Sequence, residues 1–126
     1  MSVKMVQISE SVQKIINDVP CYVATASKDG VPNVSVKGSI RALDDSTLAF
    51  AAIWSQKTLA NLAENQSIAV AIAIPEEQKS YQFKGTAELL DSGVLFEQMQ
   101  KDLREINAEF EVKKVVKINL TDVYGV

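Results

Sequence analysis

The sequence predicts an α+β domain, mainly β, with about six mostly antiparallel strands curled into a small barrel or half-open barrel and three helices at its ends. Three observations carry that prediction. Short segments with period-two alternation are separated by hairpin-type turns, and longer stretches place apolar residues at helical spacing. The elements also run helix, three strands, helix, two strands, helix, strand. A doubly wound parallel sheet needs strand–helix alternation from its first strand, and neither GxGxxG nor GxxxxGK[ST] occurs. Without internal repeats or a linker-like segment, residues 1–126 read as one domain.

Each element follows from local chemistry. Ser9 to Asp18 places Val12, Ile15 and Ile16 at helical spacing behind a serine cap, and Pro20 requires that helix to stop before it. Cys21 to Ser27 reads as a strand, Lys28-Asp29-Gly30 as a hairpin turn, and Pro32 to Leu43 as a second strand. On that strand Val34, Val36 and Ile40 share one face with Gly38. The other face carries Asn33, Ser35, Lys37, Ser39 and Arg41, a row of donors without an acid. Such a row is either a solvated outer face or the lining of an anion site. Asp44-Asp45-Ser46 turns the chain into a third strand, Thr47 to Ile53, and a helix pattern over Thr58 to Glu64 follows, with Leu59, Leu62 and Ala63 on one side. Ser67 to Ile74 alternates Ile and Val with Ala, so its small face suits close approach of another layer. Lys79 to Leu90 is a fifth strand with Gly85 as a candidate bulge. Ser92 to Val112 has the longest helical pattern, Lys114 to Leu120 is a last strand, and Thr121 to Val126 a short tail.

Composition narrows the function. A formal charge of −3 and a pI near 4.9 offer no basic surface for nucleic acid. The longest apolar runs, such as Ile68 to Ile74, are too short to span a bilayer, so no membrane partner is expected. The N-terminal stretch mixes charges into its apolar residues and lacks a signal-peptide core, which makes a cytoplasmic location the expectation. Cys21 is the only cysteine and reads as a small buried strand residue. Histidine is absent, which excludes Ser-His-Asp and Cys-His catalysis and leaves a zinc site only one cysteine and carboxylates; no metal is expected. Asp44-Asp45 and Glu76-Glu77 sit in turns and read as solvated turn residues. Demanding chemistry would then come from a bound cofactor, with the chain supplying orientation and electrostatics.

The segment Ala51 to Asn61 (AAIWSQKTLAN) is where such a cofactor would be held. A strand runs into Ser55, Gln56, Lys57 and Thr58, and a helix then begins. Ser55 stands at the N-cap position, the free N–H groups of the first turn favour an anion, and Lys57 and Thr58 add a charge and a hydroxyl. Ordinary helix capping is the competing reading of the same residues.

The stretch from Val23 to Ala73 resembles the pyridoxamine 5′-phosphate oxidase-like family of FMN-binding split barrels. The landmarks are the ATxxxDGxPxV hairpin at Ala24 to Val34, the acid-tipped turn at Asp44-Asp45, the Ser55-Gln56-Lys57-Thr58 junction, and the Asn61 to Val70 passage into the next strand. The resemblance implies a split β-barrel homodimer with FMN at the subunit interface. By position, Lys57 is the phosphate cation, with Ser55 and Thr58 as hydroxyl donors beside Gln56. Ser35 and Lys37 approach the phosphate or ribityl chain, and the main chain of Val34, Ser35 and Val36 and of Ala51 and Ala52 lies near the ring. Trp54 stacks on the ring, packs at the dimer interface or belongs to the core. Gln56 and Ser35 replace arginines of the oxidase, and the chain lacks the oxidase's longer C-terminal part, so the oxidase's own reaction is not expected. The implied function is a flavin-dependent oxidoreductase that passes hydride or electrons through FMN to an unidentified small-molecule or redox partner. A non-catalytic flavin carrier, a relative that binds the deazaflavin F420, and a barrel that has lost its ligand are the alternatives. No catalytic residue is assigned.

Overall fold

A computed structural model describes residues 7–125. Its elements are α1 (Glu10–Asp18), β1 (Cys21–Ala26), β2 (Pro32–Lys37), β3 (Arg41–Ala42), β4 (Thr47–Ala52), α2 (Gln56–Glu64), β5 (Ser67–Ile74), β6 (Lys79–Leu90), α3 (Val94–Ile106) and β7 (Lys114–Gly125), with one 3₁₀ turn at Pro75–Glu77. All pairings are antiparallel, in the order β2-β1-β5-β6-β7-β4-β3. The two end strands, β2 and β3, are neighbours in the chain, joined by residues 38–40. A sheet whose first and last strands are so tethered must curl on itself, and the result is a half-barrel.

The core explains why the strands read as they do. Strand β4 is buried along its whole length. Leu48, Phe50 and Ala52 face a large cluster with Phe83, Val70, Ile72, Val116 and Ile118, closed at its ends by Ile16 of α1 and Leu62 of α2. Ala49 and Ala51 face a second cluster with Met99 and Leu103 of α3. A strand covered on both faces loses alternation and becomes a continuous apolar run, which is the pattern of Thr47 to Ala52. At the start of α1 the Ser9 hydroxyl accepts from Val12 N at 3.3 Å, as expected of an N-cap.

Gly85 marks the bend of the long β6–β7 pair. The register shifts between Lys84 and Gly85, and a Cβ built on Gly85 would lie 2.2 Å from the Asn119 carbonyl oxygen. Glycine is required there because the opposing backbone occupies the space of a side chain.

Several sequence expectations are corrected. The predicted strand Pro32 to Leu43 breaks after Lys37, and residues 38–40 turn the corner before β3. Ile40 therefore points into the core while Val34 and Val36 are 67% and 57% exposed, so the three do not share a face. The helix after the junction starts at Gln56 rather than Thr58. The predicted helix Ser92 to Val112 is shorter at both ends and stops at Ile106. Asn107 caps it in an extended conformation and accepts from Glu109 N at 2.9 Å, which turns the chain away. The supposed tail after Leu120 continues β7 to Gly125, because β6 is long enough to pair with it as far as Tyr81. Residues 1–6 and 126, part of the N-terminal and tail readings, lie outside the described residues.

Gly85→Ala is expected to lower unfolding stability by about 2 kcal/mol or more, since the new methyl meets backbone rather than a movable side chain. Urea denaturation measures it; an unchanged midpoint would show that the bend has room for a Cβ.

Candidate functional site

The edge strand β2 packs against the first turn of α2. Strand β2 alternates between exposed and half-buried positions, and the half-buried side is the polar one. Its donors turn inward. Ser35 Oγ lies 3.3 Å from Thr58 Oγ1, and Lys37 Nζ donates to Ser55 Oγ. Thr58 and Ser55 are 2% and 8% exposed, so the hydroxyls form a closed polar seam. Helix α2 is fixed above the sheet by Asn61, whose Nδ2 donates to Thr25 Oγ1 at 3.0 Å, both side chains being buried. A satisfied pair of this kind sets the position of the helix as well as its stability.

Lys37 is electrostatically unusual. Burial pushes the pKa of its ammonium below the ordinary lysine value. Among the described residues its contacts are a neutral hydroxyl and the face of Phe50, 5.9 Å away; no carboxylate pairs with it. The ion pairs Lys114–Asp91 and Lys117–Glu88 form on the β6–β7 side instead. A cation taken out of water without a counter-ion costs free energy, and an arriving anion removes that cost.

Beside the seam opens a cleft of about 360 Å³. One wall is Lys37, Gly38, Ser39, Arg41 and Ala51; the other is Trp54, Leu103, Ile106 and Phe110. Ser39 holds the first wall by donating to Ala51 O and accepting from Ala51 N, both at 3.3 Å. Gln100 holds the second, donating to Phe110 O and accepting from Val112 N, each at 3.0 Å. Trp54 is 80% exposed and meets Phe110 edge-on, with ring centroids 5.7 Å apart. Among the described residues the cleft lining contains two cations, hydroxyls and apolar surface, and no aspartate or glutamate. It therefore suits a ligand with an anionic end and a flat apolar body. Cys21 is excluded as a nucleophile, because burial raises its thiol to about 11 despite the opposing pull of Arg41.

The structure brings together Val36, Lys37, Ala51, Trp54 and Ser55 around the cleft, with Ser35 and Thr58 in the adjoining seam. Val34 points to the outer sheet face, and Ala52 is fully buried in the core. Gln56 and Lys57 stand exposed on the first turn of α2, without a hydrogen bond or ion pair among the described residues. The Ser55 hydroxyl occupies the N-cap position but does not cap the helix. Lys37 takes it instead. Leu103, Ile106 and Phe110 were not among the sequence-predicted site residues; their spacing is that of ordinary helix packing, and only tertiary placement brings them to the cleft.

Over 123 residues the chain is 32% identical to the uncharacterized protein MJ0282 of Methanocaldococcus jannaschii, covering 96% of this chain and 82% of that one. It is similar to the crystal structure of HupZ from Group A Streptococcus, with 28% identity, a TM-score of 0.84 and 94% of each chain covered. An FMN-binding protein from Syntrophomonas wolfei shares the fold at 19% identity, with a TM-score of 0.73 over 92% of this chain and 82% of that one. The pyridoxamine 5′-phosphate oxidase family model matches residues 8–126, seam and cleft included, and the chain belongs to that family.

Proposed function

We propose that this protein is a homodimeric FMN-binding oxidoreductase that holds the flavin phosphate at the seam and its ring in the cleft. The observation that carries the reading is Lys37, a half-buried ammonium whose partners among the described residues are neutral. The residues fit the group. Lys37 supplies charge, Ser35, Ser55 and Thr58 supply hydroxyls, and the first turn of α2 supplies free N–H groups. Lys57, exposed on that turn, adds a second positive charge near the phosphate end. Ala51 and Gly38 leave room for close approach of a flat ring, with Trp54 and Phe110 opposite. When bound, FMN supplies the redox chemistry that a chain without histidine does not provide.

The dimer reading is supported by the outer face of the sheet. Tyr22, Val34 and Val36 are exposed beside Ala24, Ala69 and Ala71, with Tyr22 registered against Val36 and Ala71. Such an uncovered apolar face suits a second copy of the chain. A second functional reading, a flavin-bound electron carrier, is favoured by the absence of any carboxylate or other proton-transferring acid from the cleft lining. Turnover of NADH with an added electron acceptor separates the enzyme from the carrier, which would not oxidise NADH alone.

Titration with FMN, followed by flavin fluorescence, is expected to show saturable binding, and Lys37→Met is expected to weaken it about tenfold or more. The same substitution is expected to raise the melting temperature of the ligand-free protein, because it removes a desolvated cation that has no acid partner among the described residues. Undiminished FMN affinity in that variant would remove Lys37 from the phosphate site.

The phosphate contact needs the charged amine, and the folded-state pKa of Lys37 lies below the ordinary value of 10.5. FMN affinity is therefore expected to fall as pH rises through that lowered pKa, before ordinary lysines deprotonate. Stability of the ligand-free protein runs the other way, rising with pH between the folded and unfolded pKa values, because the unfolded state binds more protons there. A pH series of FMN dissociation constants tests this, and a profile that is the same in Lys37→Met would contradict it.

Sedimentation equilibrium is expected to give twice the chain mass of 13.8 kDa. Val34→Asp, which places a charge on the apolar face, is expected to give the single-chain mass; a wild-type monomer would contradict the dimer.

A further inference from the structure

Resting on the FMN reading above, we infer that Arg41 makes this cleft hold reduced FMN more tightly than oxidised FMN, so that the flavin stays as a resident redox group rather than leaving as a reduced product. The placement of charge carries the inference. Among the described residues, Lys37 and Arg41 are the ionisable groups lining the cleft, and no carboxylate lines it to offset them. Arg41 Nη1 donates to the Ile40 carbonyl at 2.9 Å, and the guanidinium has no acid partner among the described residues. Lys37 is committed to the seam through Ser55. Arg41 lies beyond the Gly38–Ser39 corner, along the wall that a ring anchored at Lys37 would follow.

The chemistry of the flavin sets the sign. FMN accepts two electrons and one proton to give a ring with one negative charge near neutral pH, whereas the oxidised ring is neutral. A guanidinium is a fixed positive charge, so it favours the anionic ring over the neutral one. A preference of about tenfold for the reduced form is expected, equivalent for a two-electron couple to a midpoint about 30 mV above that of free FMN.

The test is an anaerobic dithionite titration of the FMN-loaded protein against a reference dye, with Arg41→Gln and Arg41→Lys alongside. The expected result is a raised midpoint in the wild type, retained in Arg41→Lys and lost in Arg41→Gln, with the ratio of reduced to oxidised FMN affinity, measured for each protein, falling in step in Arg41→Gln. Reduced flavin should also co-elute with the wild-type protein on an anaerobic desalting column. A midpoint at or below that of free FMN, an unchanged midpoint in Arg41→Gln, or release of the reduced flavin would overturn the inference and leave FMN binding standing. Failure of oxidised FMN to bind at all, measured before any reductant is added, would sink the flavin reading and this inference with it.

Discussion

The contact on which the site depends is the one from Lys37 Nζ to Ser55 Oγ, which joins β2 to the start of α2. It joins the edge of the sheet to the start of a helix through an ammonium that no carboxylate among the described residues neutralises. Folding does not favour such an arrangement for its own sake, since an apolar side chain at Lys37 would avoid the desolvation cost. A half-buried ammonium that meets neutral partners is a position that an arriving anion would stabilise. The hydroxyls of Ser35 and Thr58, already within reach of each other, complete a surface that can accept an oxyanion without rearranging.

The rest of the fold places this contact. Because β4 is buried on both faces, it runs through the centre of the molecule and delivers residues 53–55 to the mouth of the barrel. The turn at residues 38–40 lets β2 leave the plane of β3, which opens the cleft, and Ser39 pins that turn to Ala51. Asn61 and Thr25 set the height of α2 above β1, and hence the distance between Thr58 and Ser35. Helix α3 and the Gln100-bound segment after it form the far wall. Local order, tertiary packing and site geometry are thus tied to a few buried polar contacts.

Much of this was legible in the chain. Strands β5 and β6 follow from alternation and from the turn residues at Pro75, and the Gly85 bend follows from a glycine inside a strand pattern. The acid-free donor row on β2 was visible in the sequence, and the structure turns its Ser35 and Lys37 toward α2. Which lysine near that helix is drawn inward was not legible. Lys57 has the better local position, next to the cap, but local position does not determine burial; Lys37 is drawn inward only because β2 is an edge strand folded against α2. The inward turn of Ile40, opposed to Val34 and Val36, escaped for a related reason: the corner after Lys37 changes the face on which later residues project. Ile106 and Phe110 could be placed on a helical stripe and its extension, but their meeting with Trp54 belongs to the tertiary fold.

The most direct measurement is the pKa of Lys37 by NMR of protein labelled with ¹³C at the lysine Cε, with and without saturating FMN. The account predicts a value below that of the other lysines in the free protein and a rise when FMN binds, because the phosphate becomes the counter-ion that the fold withholds. An ordinary value in the free protein, unmoved by FMN, would contradict it.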